Sequence, residues 1–285
     1  MERIDKREEQ TMVETVECDP ATMLDVQHLS KRFARPDGTG VLTALADVSL
    51  QIGRGEFVSL IGPSGCGKTT FLRVMSGLLP YDDGYVTLLG EPVVGVPIGV
   101  GFVFQEPALL PWRTVTENIA FALDASRRDT RATTADLVAA QLEITGLSQF
   151  ARYLPGQLSG GMQQRVGLAR ALVGQPDVLF MDEPLSALDS FTRSALQEEI
   201  SAIVAQSGAT TILVTHDIDE ALFMSDRVVV MRANPGEIAA DLAVPLARPR
   251  SHAGLVDDPV AIELRRDIVR ELLKASPELF VRSGR

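Results

Sequence analysis

The sequence predicts an α/β fold. Its main body is a mostly parallel β-sheet covered on both faces, with an N-terminal antiparallel β subdomain before it and a helical subdomain inserted into it. Three observations carry this reading. Compact apolar runs alternate with helix-period segments from Gly55 to Arg232, the pattern of a parallel sheet wound with helices. Ahead of them, from Met23 to Ile52, strand-like stretches follow one another with only a polar turn between. From Thr114 to about Val173, helix signals dominate.

Each element has its own signal. MLDVQHLSKRF, the turn RPDGTG and ALADVSLQI, in which Val48, Leu50 and Ile52 alternate, read as the first strands. GEFVSLIG is the short apolar run of a strand buried on both faces. KTTFLRVMSGLL has helical spacing and ends near Gly77. GYVTLLG and IGVGFVFQ are further strands. TVTE sets a capping box at Thr114 and Glu117. TADLVAAQLEITG and GGMQQRVGLARALV then repeat apolar residues at three- and four-residue steps. DVLFMDEP, TTILVTHD and DRVVVMR are strands, separated by the helices SFTRSALQEEISAIVAQSG, stopped by Gly208, and IDEALFMS. The expected organisation is a largely disordered extension over 1–22, one domain over 23–245 with its helical insertion at about 114–173, and a tail over 246–285. That tail carries an amphipathic helix at about Pro259–Ala275. Its Leu264, Ile268 and Leu272 share a face expected to pack on the same chain.

Composition narrows the function classes. A chain of 285 residues, 45% of them hydrophobic, can bury a large core. Its 27 basic and 38 acidic residues leave a charge of −11, which argues against a nucleic-acid surface. The densest basic run, SRRDTR at Ser126–Arg131, reads as a solvated loop. Cys18 and Cys66 have no partners at metal-ligand spacing, which suits a reducing cytosol. No apolar run approaches the ~18 residues of a membrane span, and the charged N-terminus lacks a signal-peptide core. Work at a membrane would therefore need other chains to hold the protein there.

The chemistry starts at LIGPSGCGKTTFL. Gly62, Pro63, Ser64, Gly65, Cys66, Gly67, Lys68 and Thr69 match G-x-x-x-x-G-K-[ST], with Thr70 following. A strand precedes the motif and a helix follows it, the context of a P-loop NTPase core. Glycines let backbone N–H groups converge on phosphate oxygens, and the helix N-terminus adds its unpaired donors. Lys68 can reach the β- and γ-phosphates of ATP, and the Thr69 hydroxyl can ligate Mg²⁺. Cys66 is expected to contribute its backbone more than its sulfur; the helix dipole there acts to lower a thiol pKa, yet a regulatory thiol is the disfavoured reading.

VLFMDEP ends a strand with two carboxylates. Neighbouring strand residues point to opposite sides. Asp182 is thus expected to hold Mg²⁺ and Glu183 to polarise the attacking water. His216 closes the strand TTILVTH. Strand ends of open parallel sheets gather at the ligand crevice, so His216 is expected to meet the γ-phosphate. Gln105, at the end of GVGFVFQ, is placed to meet the metal or the water. His28 and His252 stand in ordinary contexts and receive no role.

LSGGMQQR adds a second anion-binding helix end: Ser159 as N-cap, with Gly160 and Gly161 opening the helix. One nucleotide does not need two such cradles from one chain. A head-to-tail pair of copies would use both and bury two ATP molecules between them.

With these motifs in this order, the chain resembles the ATP-binding subunits of ABC transporters over roughly residues 23–245. The resemblance implies ATP-driven closure of a homodimer, then hydrolysis and reopening. It assigns Phe33 to stacking on adenine, where tyrosine is commoner. It places Asp189, in the SALD turn at Ser186–Asp189, at the nucleotide, and turns EPALLPWRTVTENI toward a membrane partner. Met162 stands where the family usually has glutamine; the serine and glycines remain. FQEPALLPWRTVTENI, LSGGMQQRVGLARAL and NPGEI…RPR look like the ATPases of nitrate, sulfonate, taurine and related small-anion importers. That subfamily implies two transmembrane permease subunits, an extracytoplasmic solute-binding protein acting indirectly, no nucleic acid, and a peripheral seat on the cytoplasmic face of the inner membrane. Two alternatives are a soluble ABC-type ATPase of DNA repair or translation and an exporter subunit. The single core, the acidic charge and the lack of a cysteine cluster or heptad run weigh against the first, and the lack of fused membrane spans against the second.

Overall fold

The computed structural model describes residues 21–35, 38–123, 132–186 and 188–275. The expectations for the N-terminal twenty residues, with Cys18, and for the basic run at 126–131 lie outside them. In chain order the elements are β1 (Thr22–Ala34), β2 (Val41–Gly53), β3 (Phe57–Ile61), α1 (Lys68–Met75), β4 (Asp83–Leu88), β5 (Glu91–Pro92), β6 (Val100–Val103), α2 (Val115–Ala120), α3 (Thr134–Ile144) and α4 (Gly160–Leu172). Then come β7 (Val178–Asp182), α5 (Ser190–Ser207), β8 (Thr210–Val214), α6 (Ile218–Met224), β9 (Arg227–Arg232), β10 (Glu237–Ala243), α7 (His252–Asp257) and α8 (Pro259–Ala275).

The strands form two sheets. β2-β1-β4-β5 is antiparallel throughout, and β10-β9-β3-β8-β7-β6 is parallel except for the edge strand β10. Every residue of β3, β7 and β8 is buried, as expected of central strands covered on both faces. One face packs with α1 against the antiparallel sheet through Phe71, Leu72, Leu24 and Leu29. The opposite face meets α4 and α5 through Leu168, Leu172, Leu196 and Ile200. The helical insertion has its own core around Val115, Ile119, Leu147 and Val166. Its α2 begins on the Thr114–Glu117 capping box, and α3 on an unforeseen second one at Thr133 and Asp136.

The tail helix α8 turns its apolar face to its own chain. Ile268 is fully buried among Ile61, Ala221, Leu222 and Val230, with Leu264 and Leu272 beside it. Two arginines ahead of it pin the preceding segment. Arg250 donates to the carbonyls of Leu222, Phe223 and Ser225 at the buried C-terminal end of α6, whose last carbonyls have no partner within the helix. Arg248 pairs with Asp226 at 3.0 Å.

Candidate nucleotide site

Sheet register builds the site. Leu60 and Asp182 both pair with Val214, and Val103 pairs with Met181. The carboxyl ends of β3, β8, β7 and β6 therefore lie side by side. The segments leaving them carry the phosphate loop, His216, Glu183 and Gln105 respectively, so four motifs far apart in sequence leave one edge of the sheet.

The phosphate loop needs its glycines for contact as well as backbone freedom. A Cβ on Gly62 would sit 2.6 Å from the Met231 carbonyl oxygen. Gly67 holds φ +96° as the N-cap of α1, and a Cβ there would lie 2.9 Å from the Ala44 oxygen. Lys68 is buried and curls back over the loop, donating to the carbonyls of Gly62 at 2.8 Å and Pro63 at 3.1 Å. Cys66 feels two opposed influences. Burial pushes its thiol pKa up and outweighs the opposing pull of Lys68 and the loop N–H groups, so the thiol is not activated.

The two acids separate in environment. Asp182 is the last residue of β7, buried, and accepts from the Thr69 hydroxyl at 2.9 Å. Burial raises its pKa, opposed by that hydrogen bond and by Arg73. Glu183 lies beyond the strand with φ +45°, while its N–H still donates to the Val214 carbonyl at 2.9 Å. A left-handed residue, not strand alternation, is what turns its side chain away from that of Asp182, a change from the sequence argument. Glu183 Oε2 is 3.1 Å from His216 Nδ1.

The loop and Glu183 border a cleft of about 410 Å³, with Asp182 bonded to its lining residue Thr69 and His216 to Glu183. Lys68, Thr69, Thr70 and Glu183 line its phosphate end, with Ser64, Gly65 and Gly67 of the loop, and Phe33 and Leu42 line it from the antiparallel sheet. Phe33 is 37% exposed, an aromatic face open to a base. Asn234 and Gly236 complete the wall. Sequence reasoning used their NPG stretch only as a likeness. The signal was the glycine: Gly236 donates to the Ala44 carbonyl at 3.1 Å, and its own carbonyl accepts from Ala46 at 3.0 Å, so this turn lies against β2 beside the phosphate loop.

An ABC transporter family model matches residues 45–186. An aliphatic sulfonates import ATP-binding protein, SsuB 1 of Pseudomonas syringae, is 46% identical over 257 residues, covering 90% of this chain and 98% of that one. This chain belongs to the ABC transporter family. The Synechocystis nitrate import ATP-binding protein NrtC is 44% identical over 86% of this ABC chain, which spans only 37% of that longer protein. A dimeric structure of the ATP-binding cassette MJ0796, in a post-hydrolysis state bound to ADP and Pi, superposes with a TM-score of 0.69 at 31% identity, covering 79% of this chain and all of that one. The ABC chain thus carries the family's ATP-binding, ATP-hydrolysing domain on a P-loop NTPase fold.

Beyond the phosphate loop, Asp182 and His216 reach the cleft of this ABC domain only through Thr69 and Glu183, and three other expected site features lie apart from it. Ser159 caps α4 by accepting from the Met162 N–H, and Gly160 and Gly161 follow. A Cβ on Gly160 or Gly161 would meet Leu188 at 3.5 Å or Thr192 at 3.4 Å, so this helix tip adjoins the turn that carries Asp189. Asp189 is itself an N-cap, accepting from Thr192 N–H at 3.0 Å. Gln105 is exposed; its neighbour Phe104 accepts at its carbonyl from Gln164 of α4 at 3.2 Å. Met162, in place of the usual glutamine, packs partly buried on the core of the helical insertion.

Proposed function

We propose that this protein is the ATP-hydrolysing motor of an importer for a small anion such as nitrate, a sulfonate or taurine. The observation that carries the proposal is the split of the machinery. The phosphate loop and Glu183 line one cleft, with Asp182 and His216 bonded to its lining residues Thr69 and Glu183, whereas the serine-glycine tip of α4 and Asp189 form a second group on the same chain, outside it. Two copies arranged head to tail bring the second group of each over the cleft of the other.

In that arrangement Gly62–Thr70 wraps the phosphates of ATP, and Phe33 stacks on adenine. Thr69 Oγ1 and Asp182 Oδ1, 2.9 Å apart, form a pair of hard oxygen donors of the kind that takes Mg²⁺ together with phosphate oxygens and water. The ion would neutralise charge on the transferring phosphoryl group. Glu183 orients and polarises the attacking water, and His216 contacts the γ-phosphate. Gln105 joins from the strand end beside Asp182. Ser159, Gly160 and Gly161 of the second copy close over the γ-phosphate with N-terminal helix dipoles.

No helix among the described residues is long and apolar enough to cross a membrane. The motor would act on two permease subunits from the cytoplasmic face, with a solute-binding protein delivering cargo on the far side. Trp112 is 73% exposed in the EPALLPWRTVTENI segment proposed to meet the permeases. The ATPase does not touch its cargo, so the anion class rests on likeness to relatives. Purified from detergent extracts, the protein is expected to carry a polytopic membrane protein with it. Recovery with nucleic acid or ribosomes instead would contradict the motor reading.

A further inference from the structure

Behind His216 lies a polar cluster that the cleft does not use. Glu220, in the first turn of α6, is 4% exposed. Its Oε2 accepts from the Thr215 hydroxyl, and its Oε1 from Gln197 Nε2 of α5 at 3.3 Å. The same Thr215 oxygen accepts from the Asp217 N–H at 3.0 Å. One hydroxyl thereby fixes the residues on both sides of His216.

The cluster continues toward the turn before α5. Asp217 caps α6 and faces Arg193 at 3.6 Å, and Arg193 Nη2 donates to the Leu188 carbonyl at 2.8 Å. Leu188 adjoins Asp189 and the Gly160 tip of α4. His216 in turn lies 3.1 Å from Glu183. Polar contacts thus tie the Leu188 carbonyl to Asp217, the chain neighbour of His216, and His216 to the proposed base.

Glu220 is an unfavourable residue for mere space filling. A buried carboxylate held by two neutral donors is poorly compensated, and burial pushes its pKa up. The Asp217 cap already satisfies the first turn of α6 without it. What a hydrocarbon of similar size could not do is hold the Thr215 hydroxyl so that its lone pair faces the Asp217 N–H.

We propose that Glu220 is a positioning residue for ATP hydrolysis: through the Thr215 hydroxyl it sets the direction of His216, through Gln197 it anchors that segment to α5, and the Asp217–Arg193 pair beside it reaches the turn at Leu188–Asp189. The inference rests on the reading of His216 as a γ-phosphate contact.

Steady-state ATPase kinetics of the full chain test it. Glu220→Leu and Thr215→Val are each expected to lower kcat about 10- to 100-fold, the scale of a misplaced catalytic group. KM for ATP should change much less than kcat, because the phosphate loop, Lys68 and Phe33, proposed to carry most of the grip on ATP, are untouched. The double variant should be no slower than the slower single, since both remove one device. Glu220→Gln should recover most of the rate: its amide oxygen still accepts from Thr215, and Gln197 can turn its own amide to match. His216→Ala is the reference. Unchanged turnover in His216→Ala would overturn the histidine reading itself. Slow turnover there, with normal kcat in Glu220→Leu and Thr215→Val, would overturn the positioning role alone, as would additive losses or a kcat loss matched by a rise in KM. Should Glu220→Leu not fold, the near-isosteric Thr215→Val decides between these outcomes.

Discussion

Glu183→Gln is expected to keep ATP affinity within about twofold and to slow hydrolysis by about 10²- to 10⁴-fold, the range for a positioned acid–base group. The geometry explains why Glu183 and not Asp182. Asp182 is buried and engaged with the Thr69 hydroxyl, the position of a metal holder. Glu183 lines the cleft, and its φ of +45° turns it out of the strand toward His216. Glutamine keeps the size of the side chain and a hydrogen-bonding partner for His216 Nδ1, so the loss would isolate the charge. Isothermal titration measures affinity and phosphate release measures turnover. Undiminished turnover would remove Glu183 as the base.

Lys68→Ala is expected to act earlier in the cycle. Lys68 is the cleft-lining cation of the phosphate loop, and a charge-assisted hydrogen bond of this kind contributes about 1.5–3 kcal/mol. That corresponds to ATP binding weaker by about 10- to 150-fold. The loop itself should persist: its shape depends on the close contacts of Gly62 and Gly67, and the first turn of α1 keeps the Phe71 N–H bond to the Gly67 carbonyl at 2.8 Å. Circular dichroism should therefore be unchanged while titration loses affinity. Unaltered affinity would contradict the phosphate-loop assignment.

The parts of the site that were legible in the sequence are those whose chemistry is local. The phosphate loop is contiguous, so its glycines, lysine and threonine could be read together. Asp182, Glu183 and His216 were legible because apolar runs announce buried strands and the site lies where such strands end. Ser159 was legible as an N-cap. The Thr215–Glu220 and Arg193–Asp217 contacts were not, because they depend on how α5 and α6 pack on one another, which no local pattern encodes. The NPG turn was hidden for a similar reason: only the pairing of Gly236 with Ala44 brings Asn234 to the cleft. The edge strand β10 was overlooked because its residues are half-buried and polar in part, without the run of apolar residues that marks the central strands. At Cys66 the dipole and desolvation oppose each other, and sequence shows the first but not the second.

The central claim is that ATP is held between two copies of the chain. Sedimentation velocity of Glu183→Gln protein, alone and saturated with Mg-ATP, tests it most directly. A shift from monomer to dimer on adding ATP, abolished by a further Ser159→Ala change, is the predicted result. A strictly monomeric species at saturating ATP, persisting when the protein is assembled with its membrane partners, would contradict it.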